Sequence, residues 1–325
     1  MKICLTGDRA RRLRELATPM LAAAGVDAEF VILEQDGRFD GDPEDLDVVY
    51  FSLSVTRYPE ATASLMGLFK TPSLKWMQGP GAGIDHPIWQ GLLDRGGRLT
   101  NASGIHSEPI AQYIFTYVLH WERNVERHRQ QQASKTWEII RSGDLAQKTI
   151  GIVGYGGIGQ ATARVAKAFG MRVLASRRTP FEDDALDRFV PLDDLKTLLA
   201  ESDYVVLCMP FNDETKGMIG ADELASMRDD AVLINVARGG VVDEPALIEV
   251  LEAGRIRGAT LDVVSEEPLP ENSPLWTLEN CVLTPHDAGY SPLGDERLGA
   301  LFIENLGRFA RGESMINEIE TTGIA

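Results

Sequence analysis

Cysteine is scarce. Cys4, Cys208 and Cys281 are the only three in 325 residues. They lie far apart, match no metal-ligand spacing and sit in apolar runs. The sequence therefore predicts buried free thiols in a reducing compartment, and excludes a disulfide framework or a cysteine-rich metal site. Positive charge is also in short supply. Lys and Arg number 32 against 49 Asp and Glu, a formal net charge of −17. Such a balance argues against a general binder of nucleic acid or of anionic membrane, since both are polyanions. Long apolar runs are missing too: none approaches the roughly 18 residues of a membrane span. The opening stretch Met1–Asp8 turns polar too soon for a secretory signal. A cytoplasmic chain is expected. There is no repeat of solenoid period and no low-complexity stretch.

What remains is an ordinary globular composition, with 44% hydrophobic and 25% charged residues. At about 150 residues per domain, the length suggests roughly two domains. The acidic balance also sets a requirement. Any site for a small anion must supply its own local positive charge.

Residues 1–100 read as alternating strands and helices. Strand-like runs are Ile3–Thr6, Glu29–Leu33, Val48–Leu53, Leu74–Gln78 and Arg98–Thr100, with a helix over Arg9–Ala24 that stops at Gly25. From Ser107 to about Trp137 one long helix is predicted. Ile110, Ile114, Tyr117, Val118 and Trp121 share a face, and the stretch then turns polar, as in a bridge between two domains. A second alternation follows, with strands at Thr149–Val153, Arg172–Ala175, Tyr204–Met209, Val232–Val236, Ala259–Val263 and Val282–Thr284 and helices such as Gln160–Phe169, Leu192–Leu199 and Glu244–Glu252. After Asp295 a last helix carries Leu298, Leu301, Phe302 and Leu306, and is expected to return to the first unit. Alternating β and α elements predict parallel sheets covered by helices.

The strongest local signal is the run Gly154-Tyr155-Gly156-Gly157-Ile158-Gly159 after the strand Thr149–Val153. A G-x-G-x-x-G run alone is weak, but between an apolar strand and an amphipathic helix it predicts a dinucleotide site. Gly154 permits the tight turn, Gly156 leaves room for pyrophosphate, and Gly159 lets helix and strand pack closely. Unpaired N–H groups at the helix start face the phosphates. In an NAD site an acidic residue usually stands about 20 positions on and binds the ribose. Here the next strand ends in Ser176-Arg177-Arg178-Thr179, with Arg177 18 residues after Gly159 (177 − 159). Two guanidinium groups suit a 2′-phosphate, so NADP is expected over NAD. The competing reading is an exposed basic strand end in contact with acidic neighbours.

Ligands of open parallel sheets bind beyond the carboxyl ends of the strands. Three chemically useful side chains follow successive strands: Arg238 after Val232–Val236, Glu267 after Ala259–Val263, and His286 after Val282–Thr284. Separately each has a bland reading, as a surface cation, a turn acid or a loop histidine. Together they suit the reduction of a 2-keto acid. A histidine can protonate the alkoxide left by hydride addition, a carboxylate can favour and orient the imidazolium, and an arginine can hold the substrate carboxylate in a fork.

With Asn235-Val236-Ala237-Arg238-Gly239-Gly240-Val241-Val242-Asp243-Glu244, Gly258-Ala-Thr-Leu-Asp-Val263, Glu267-Pro268 and Thr284-Pro-His286 added to the glycine motif, the chain resembles the D-isomer-specific 2-hydroxyacid dehydrogenases. That family includes glyoxylate/hydroxypyruvate reductases and D-lactate, formate and phosphoglycerate dehydrogenases. The resemblance covers most of the chain. It implies two doubly wound α/β domains, a Rossmann nucleotide-binding domain (102–290) inserted into a flavodoxin-like substrate domain (1–101 and 291–325). It implies that Arg238 orients substrate and that Glu267 and His286 are the acid/base pair. Asp262 would contact the nicotinamide carboxamide, and Met209, Pro210 and Thr215 would line the adenine side. Val236, Ala237 and Gly289 are expected to line the cofactor as well. Gly79-Pro-Gly-Ala-Gly-Ile-Asp85 matches a loop whose N–H groups, here those of Ala82 and Gly83, grip the substrate carboxylate as an anion nest. A homodimer joined through the nucleotide domains is implied.

Departures are visible. The family's common Ala-Glu in the bridging helix is Ala111-Gln112, the NAD-selecting Asp is Arg177, and the residues after the histidine are Asp287-Ala-Gly-Tyr290. Asp287 is expected to face solvent, His86 to cap or pack, and His120 and His128 to face solvent or a dimer partner. Trp137 and Arg141 are candidates to approach a partner's cleft. Two alternatives stay open: a formate- or phosphite-type dehydrogenase, and an NAD(P)-sensing, corepressor-like binding protein.

Overall fold

Period-two alternation inside the apolar runs builds two separate parallel sheets. A computed structural model describes residues 1–83 and 87–319. By contacts it divides into one unit of Met1–Ile105 with the chain from Ser291 onward, and a second of His106–Tyr290. The sequence placed the first division after residue 101. It falls later because Ala102 and Ile105 are buried in the first unit's core.

The first unit runs β1 (Lys2–Thr6), α1 (Ala10–Ala23), β2 (Glu29–Leu33), β3 (Val48–Tyr50), α2 (Pro59–Leu68), β4 (Trp76–Gln78), α3 (Pro87–Leu93) and β5 (Arg98–Thr100). Its sheet has the order β2-β1-β3-β4-β5, all parallel. Alternate residues enter opposite cores. Cys4, Val49 and Met77 face one side; Ile3, Leu5, Val48 and Trp76 face the other. Helices cover both faces, as parallel sheets require. The run expected to be strand through Leu53 ends at Tyr50, and a 3₁₀ turn follows at Ser54–Arg57.

The second unit opens with α4 (Ser107–Glu122) and α5 (Val125–Ser134). The single bridging helix is therefore two helices, both within this unit. Asn124 breaks them by adopting a left-handed conformation, φ +51°. Arg257 holds the break, donating to the Trp121 carbonyl and to Asn124 Oδ1 at 3.3 Å. Ile110, Ile114 and Val118 bury the α4 face, whereas α5 buries nothing. Then come β6 (Thr149–Val153), α6 (Gly157–Ala168), β7 (Arg172–Ser176), β8 (Arg188–Phe189), α7 (Leu195–Glu201), β9 (Tyr204–Leu207), α8 (Ala221–Ala225), β10 (Val232–Asn235), α9 (Glu244–Glu252), β11 (Gly258–Leu261) and β12 (Cys281–Leu283). The order is β12-β11-β10-β9-β6-β7-β8, again all parallel. Alternation repeats: Tyr204 and Val206 pack on one side, Val205 and Leu207 on the other. The edge strand β8 was missed, since its two residues are too short to show a period.

The last helix, α10 (Gly294–Ala310), returns to the first unit and buries Leu298, Phe302 and Leu306. Phe302 stacks on Trp76 at 5.4 Å between ring centroids and lies 4.8 Å from Tyr50. Of the cysteines only Cys4 is fully buried. Cys208 and Cys281 are half-buried, a correction to the expectation for all three. Burial still pushes each thiol up to about 12, so none is a thiolate near neutral pH. Because α10 closes this core through an aromatic stack, Phe302→Ala should lower unfolding stability by about 3–5 kcal/mol, measured by urea denaturation.

Candidate active site

The glycine turn is built from close approaches. Gly154 has φ +98°, and a Cβ there would overlap the Met209 backbone. Its N–H donates to the Ser176 carbonyl at 2.9 Å. Cys208 Sγ donates to its carbonyl at 2.8 Å. A Cβ on Gly159 would lie 2.6 Å from the Gly154 carbonyl oxygen, which explains the close helix–strand packing. Around Gly156 the protein leaves open space: a Cβ would meet nothing within 4 Å. Helix α6 begins at Gly157, earlier than the sequence suggested, so the N–H groups of Gly157, Ile158 and Gly159 precede its first internal bond, Gln160 N–H to Gly156 O at 2.9 Å. Open room beside one glycine and free first-turn donors are the cradle a pyrophosphate requires.

Other cofactor candidates separate in the structure. Tyr155 is buried and packs its ring 4.6 Å from Phe181, so its side chain serves the core. Ser176 is also buried, and contributes its carbonyl to the turn. Arg177 lies over the Phe181 ring at 4.9 Å and reaches the Tyr155 carbonyl at 3.5 Å. Arg178 is exposed and pairs with Glu214 at 3.6 Å, the contact with an acidic neighbour that the sequence left open. Met209 is buried and Pro210 exposed just after β9. Thr215 donates its hydroxyl to the Pro210 carbonyl at 2.8 Å, so it holds the shape of that loop.

Arg238, Glu267 and His286 follow β10, β11 and β12, three neighbouring strands. Asn235 shapes the first loop, accepting from Ala237 N–H at 3.0 Å and donating to the Arg238 carbonyl at 3.1 Å. Val236 and Ala237 are buried beneath it. Arg238 is half-buried, with Nη1 donating to the Ala237 carbonyl at 2.8 Å. A Cβ on Gly239 would overlap the Val264 carbonyl, so glycine is what lets this loop lie against the one bearing Glu267. The Glu267–Pro268 peptide is cis. Glu267 accepts Val264 N–H on Oε1 at 3.2 Å, and its Oε2 lies 2.8 Å from His286 Nδ1. That bond leaves Nε2 of His286 for another partner.

Asp262 is the residue whose geometry the sequence reading did not foresee. It is 4% exposed. Its Oδ1 accepts from Thr284 Oγ1 at 2.7 Å and Asp287 N–H at 2.9 Å, and Ala288 N–H reaches Oδ2 at 3.1 Å. Tyr113 Oη lies 2.6 Å from Thr284 Oγ1. Burial raises the Asp262 carboxyl above its ordinary value, against these hydrogen bonds. Tyr113 shares the apolar face of α4 in sequence, and one phenol among aromatics carries no signal by itself. Gly289 gives its carbonyl to His106 Nδ1 at 3.1 Å. The Asp287 side chain is exposed. His128 is exposed; His120 is half-buried beside Tyr117 and Trp121, and burial lowers its pKa.

In the first unit, Gly79–Gly83 follows β4. Gly81 O accepts from Ala102 N–H at 2.8 Å and Ala82 O from Asn101 Nδ2 at 2.9 Å, which ties down the turn. Ile84, Asp85 and His86, the rest of that motif, lie outside the described residues. Among the described residues no group of three or more His, Cys, Asp or Glu is placed to hold a metal ion, and no helix is long and apolar enough to cross a membrane.

A family model, "D-isomer specific 2-hydroxyacid dehydrogenase, NAD binding domain", matches residues 115–288. The chain belongs to the D-isomer specific 2-hydroxyacid dehydrogenase family. Glyoxylate reductase from Korarchaeum cryptofilum is 38% identical over 251 residues, 74% of this chain and 75% of that one. Among solved structures, a D-isomer specific 2-hydroxyacid dehydrogenase from Xanthobacter autotrophicus, in complex with NADPH and MES, has TM-score 0.75 at 28% identity and covers 98% of each chain. A glyoxylate reductase from Paecilomyes thermophila has TM-score 0.76 at 26% identity, with 99% of each chain covered. As a member of this family the chain is an NAD(P)-dependent 2-hydroxyacid dehydrogenase. The open space at Gly156 generates a direct test. Gly156→Ala should leave the melting temperature unchanged while raising the Kd for the dinucleotide at least about tenfold, read by nicotinamide fluorescence titration.

Proposed function

We propose that this enzyme reduces small 2-keto acids such as glyoxylate or hydroxypyruvate, with NADPH as the preferred cofactor. The 2.8 Å contact between His286 and Glu267, on the loop beside Arg238, carries the reading. Gly154 shapes the turn, and Gly156, Gly157, Ile158 and Gly159 hold the pyrophosphate. Arg177, with its guanidinium already stacked, receives the 2′-phosphate; Arg178 contributes less because Glu214 competes for it. When bound, the nicotinamide supplies the hydride. Arg238 holds the substrate carboxylate in a fork and polarises the adjoining carbonyl. Glu267 keeps Nδ1 of His286 engaged, so the proton leaves from Nε2 to the new alkoxide. In the first unit, the N–H groups of Ala82 and Gly83 form a nest suited to a carboxylate. We assign cofactor binding and the acid/base chemistry to the second unit.

The test is oxidation of NADPH and NADH against a 2-keto-acid panel, with formate and phosphite as reverse donors. Turnover of glyoxylate or hydroxypyruvate faster with NADPH is expected. Activity only with formate or phosphite, or none at all, would overturn the reading. His286→Ala should cut kcat at least about 100-fold. Arg177→Ala should raise the KM for NADPH about tenfold or more and leave that for NADH nearly unchanged.

We also propose a homodimer joined through the second unit. Trp137 is 100% and Ile139 95% exposed after α5, apolar surface that a partner would cover. Sedimentation should give a dimer at micromolar concentration. The double variant Trp137→Ser, Ile139→Ser should sediment as a monomer.

A further inference from the structure

A file of hydrogen bonds runs from α4 to the loop that carries His286. Tyr113 Oη and Thr284 Oγ1 are 2.6 Å apart, and Thr284 Oγ1 donates to Asp262 Oδ1 at 2.7 Å. Asp262 then accepts the N–H groups of Asp287 at 2.9 Å and Ala288 at 3.1 Å, while its own carbonyl accepts His286 N–H at 2.8 Å. A carboxylate with three donors converging on it acts as acceptor only, so the single Thr284 proton points at Asp262. The Thr284 oxygen must therefore accept from Tyr113. Burial raises the Tyr113 phenol above its ordinary value, which keeps it a donor through the neutral and mildly alkaline range.

Residue 286 sits between these bonds with φ +55°, the left-handed region that a residue with a Cβ disfavours. Something must hold it there, and the bonds to Asp262 on both sides are suited to do so. We infer that Tyr113 is a positioning residue: through Thr284 and Asp262 it fixes the left-handed turn at His286, and so the contact between His286 and Glu267. This rests on the reading of His286 as the proton donor.

Tyr113→Phe keeps the ring and deletes one hydroxyl. It should lower kcat for 2-keto-acid reduction at least about fivefold, because small misplacements of a reacting group are costly. The Kd for NADPH should stay within about twofold. Thr284→Val should reproduce the loss, Thr284→Ser should retain wild-type kcat, and Tyr113→Phe combined with Thr284→Val should add little to either. Wild-type kcat in Tyr113→Phe would overturn the inference. So would a rise in the NADPH Kd that matches the loss of rate. His286→Ala separates the two levels. If that variant stays active, the proton-donor reading has failed. If it is inactive while Tyr113→Phe behaves as wild type, only the positioning role has failed.

Discussion

Asn235, Leu261 and Leu283 sit side by side in one parallel register, and the chemistry proposed for the second unit depends on that alignment. Parallel strands all end at the same edge, so the loops that follow them emerge together. Arg238, Glu267 and His286 are 29 and 19 residues apart in sequence (267 − 238 and 286 − 267), yet each stands within a few residues of its strand end. A slip of one residue in either pairing would turn every side chain of that strand to the wrong face. The two buried cores, split cleanly between odd and even positions, are what forbid the slip.

The same logic explains what could be read from the sequence. Long apolar runs with flanking turns revealed five strands of the first sheet and six of the seven in the second, because burial on both faces leaves a continuous hydrophobic signature. The two-residue β8 has no such signature. The break at Asn124 was hidden because left-handed asparagine depends on a tertiary partner, Arg257, which lies 133 residues away. Helix α6 starts inside the glycine motif since glycine, a poor helix former in general, is tolerated in a first turn that ends against a strand.

For the site, spacing and residue type pointed to Arg238, Glu267 and His286, whose chemistry is distinctive. They could not reveal what the supporting residues do. Tyr155 and Ser176 belong to the motif by position, but their side chains are buried in the core. Asp262 is occupied by backbone N–H groups and a threonine hydroxyl, partners that look alike everywhere in a sequence. Arg177 and Arg178 are adjacent and chemically identical; only packing distinguishes one stacked on Phe181 from one paired with Glu214.

The early start of α6 has a further consequence for a chain of net charge −17. The donors of Gly157, Ile158 and Gly159 are peptide groups, with no proton to gain or lose between mildly acidic and alkaline pH. Their attraction for an anion is therefore fixed by geometry and indifferent to titration. A surface that becomes more or less acidic with its surroundings still presents the same partial positive charge at this one point. On the proposed reading, the chain can thus keep an acidic exterior without weakening the site assigned to the pyrophosphate.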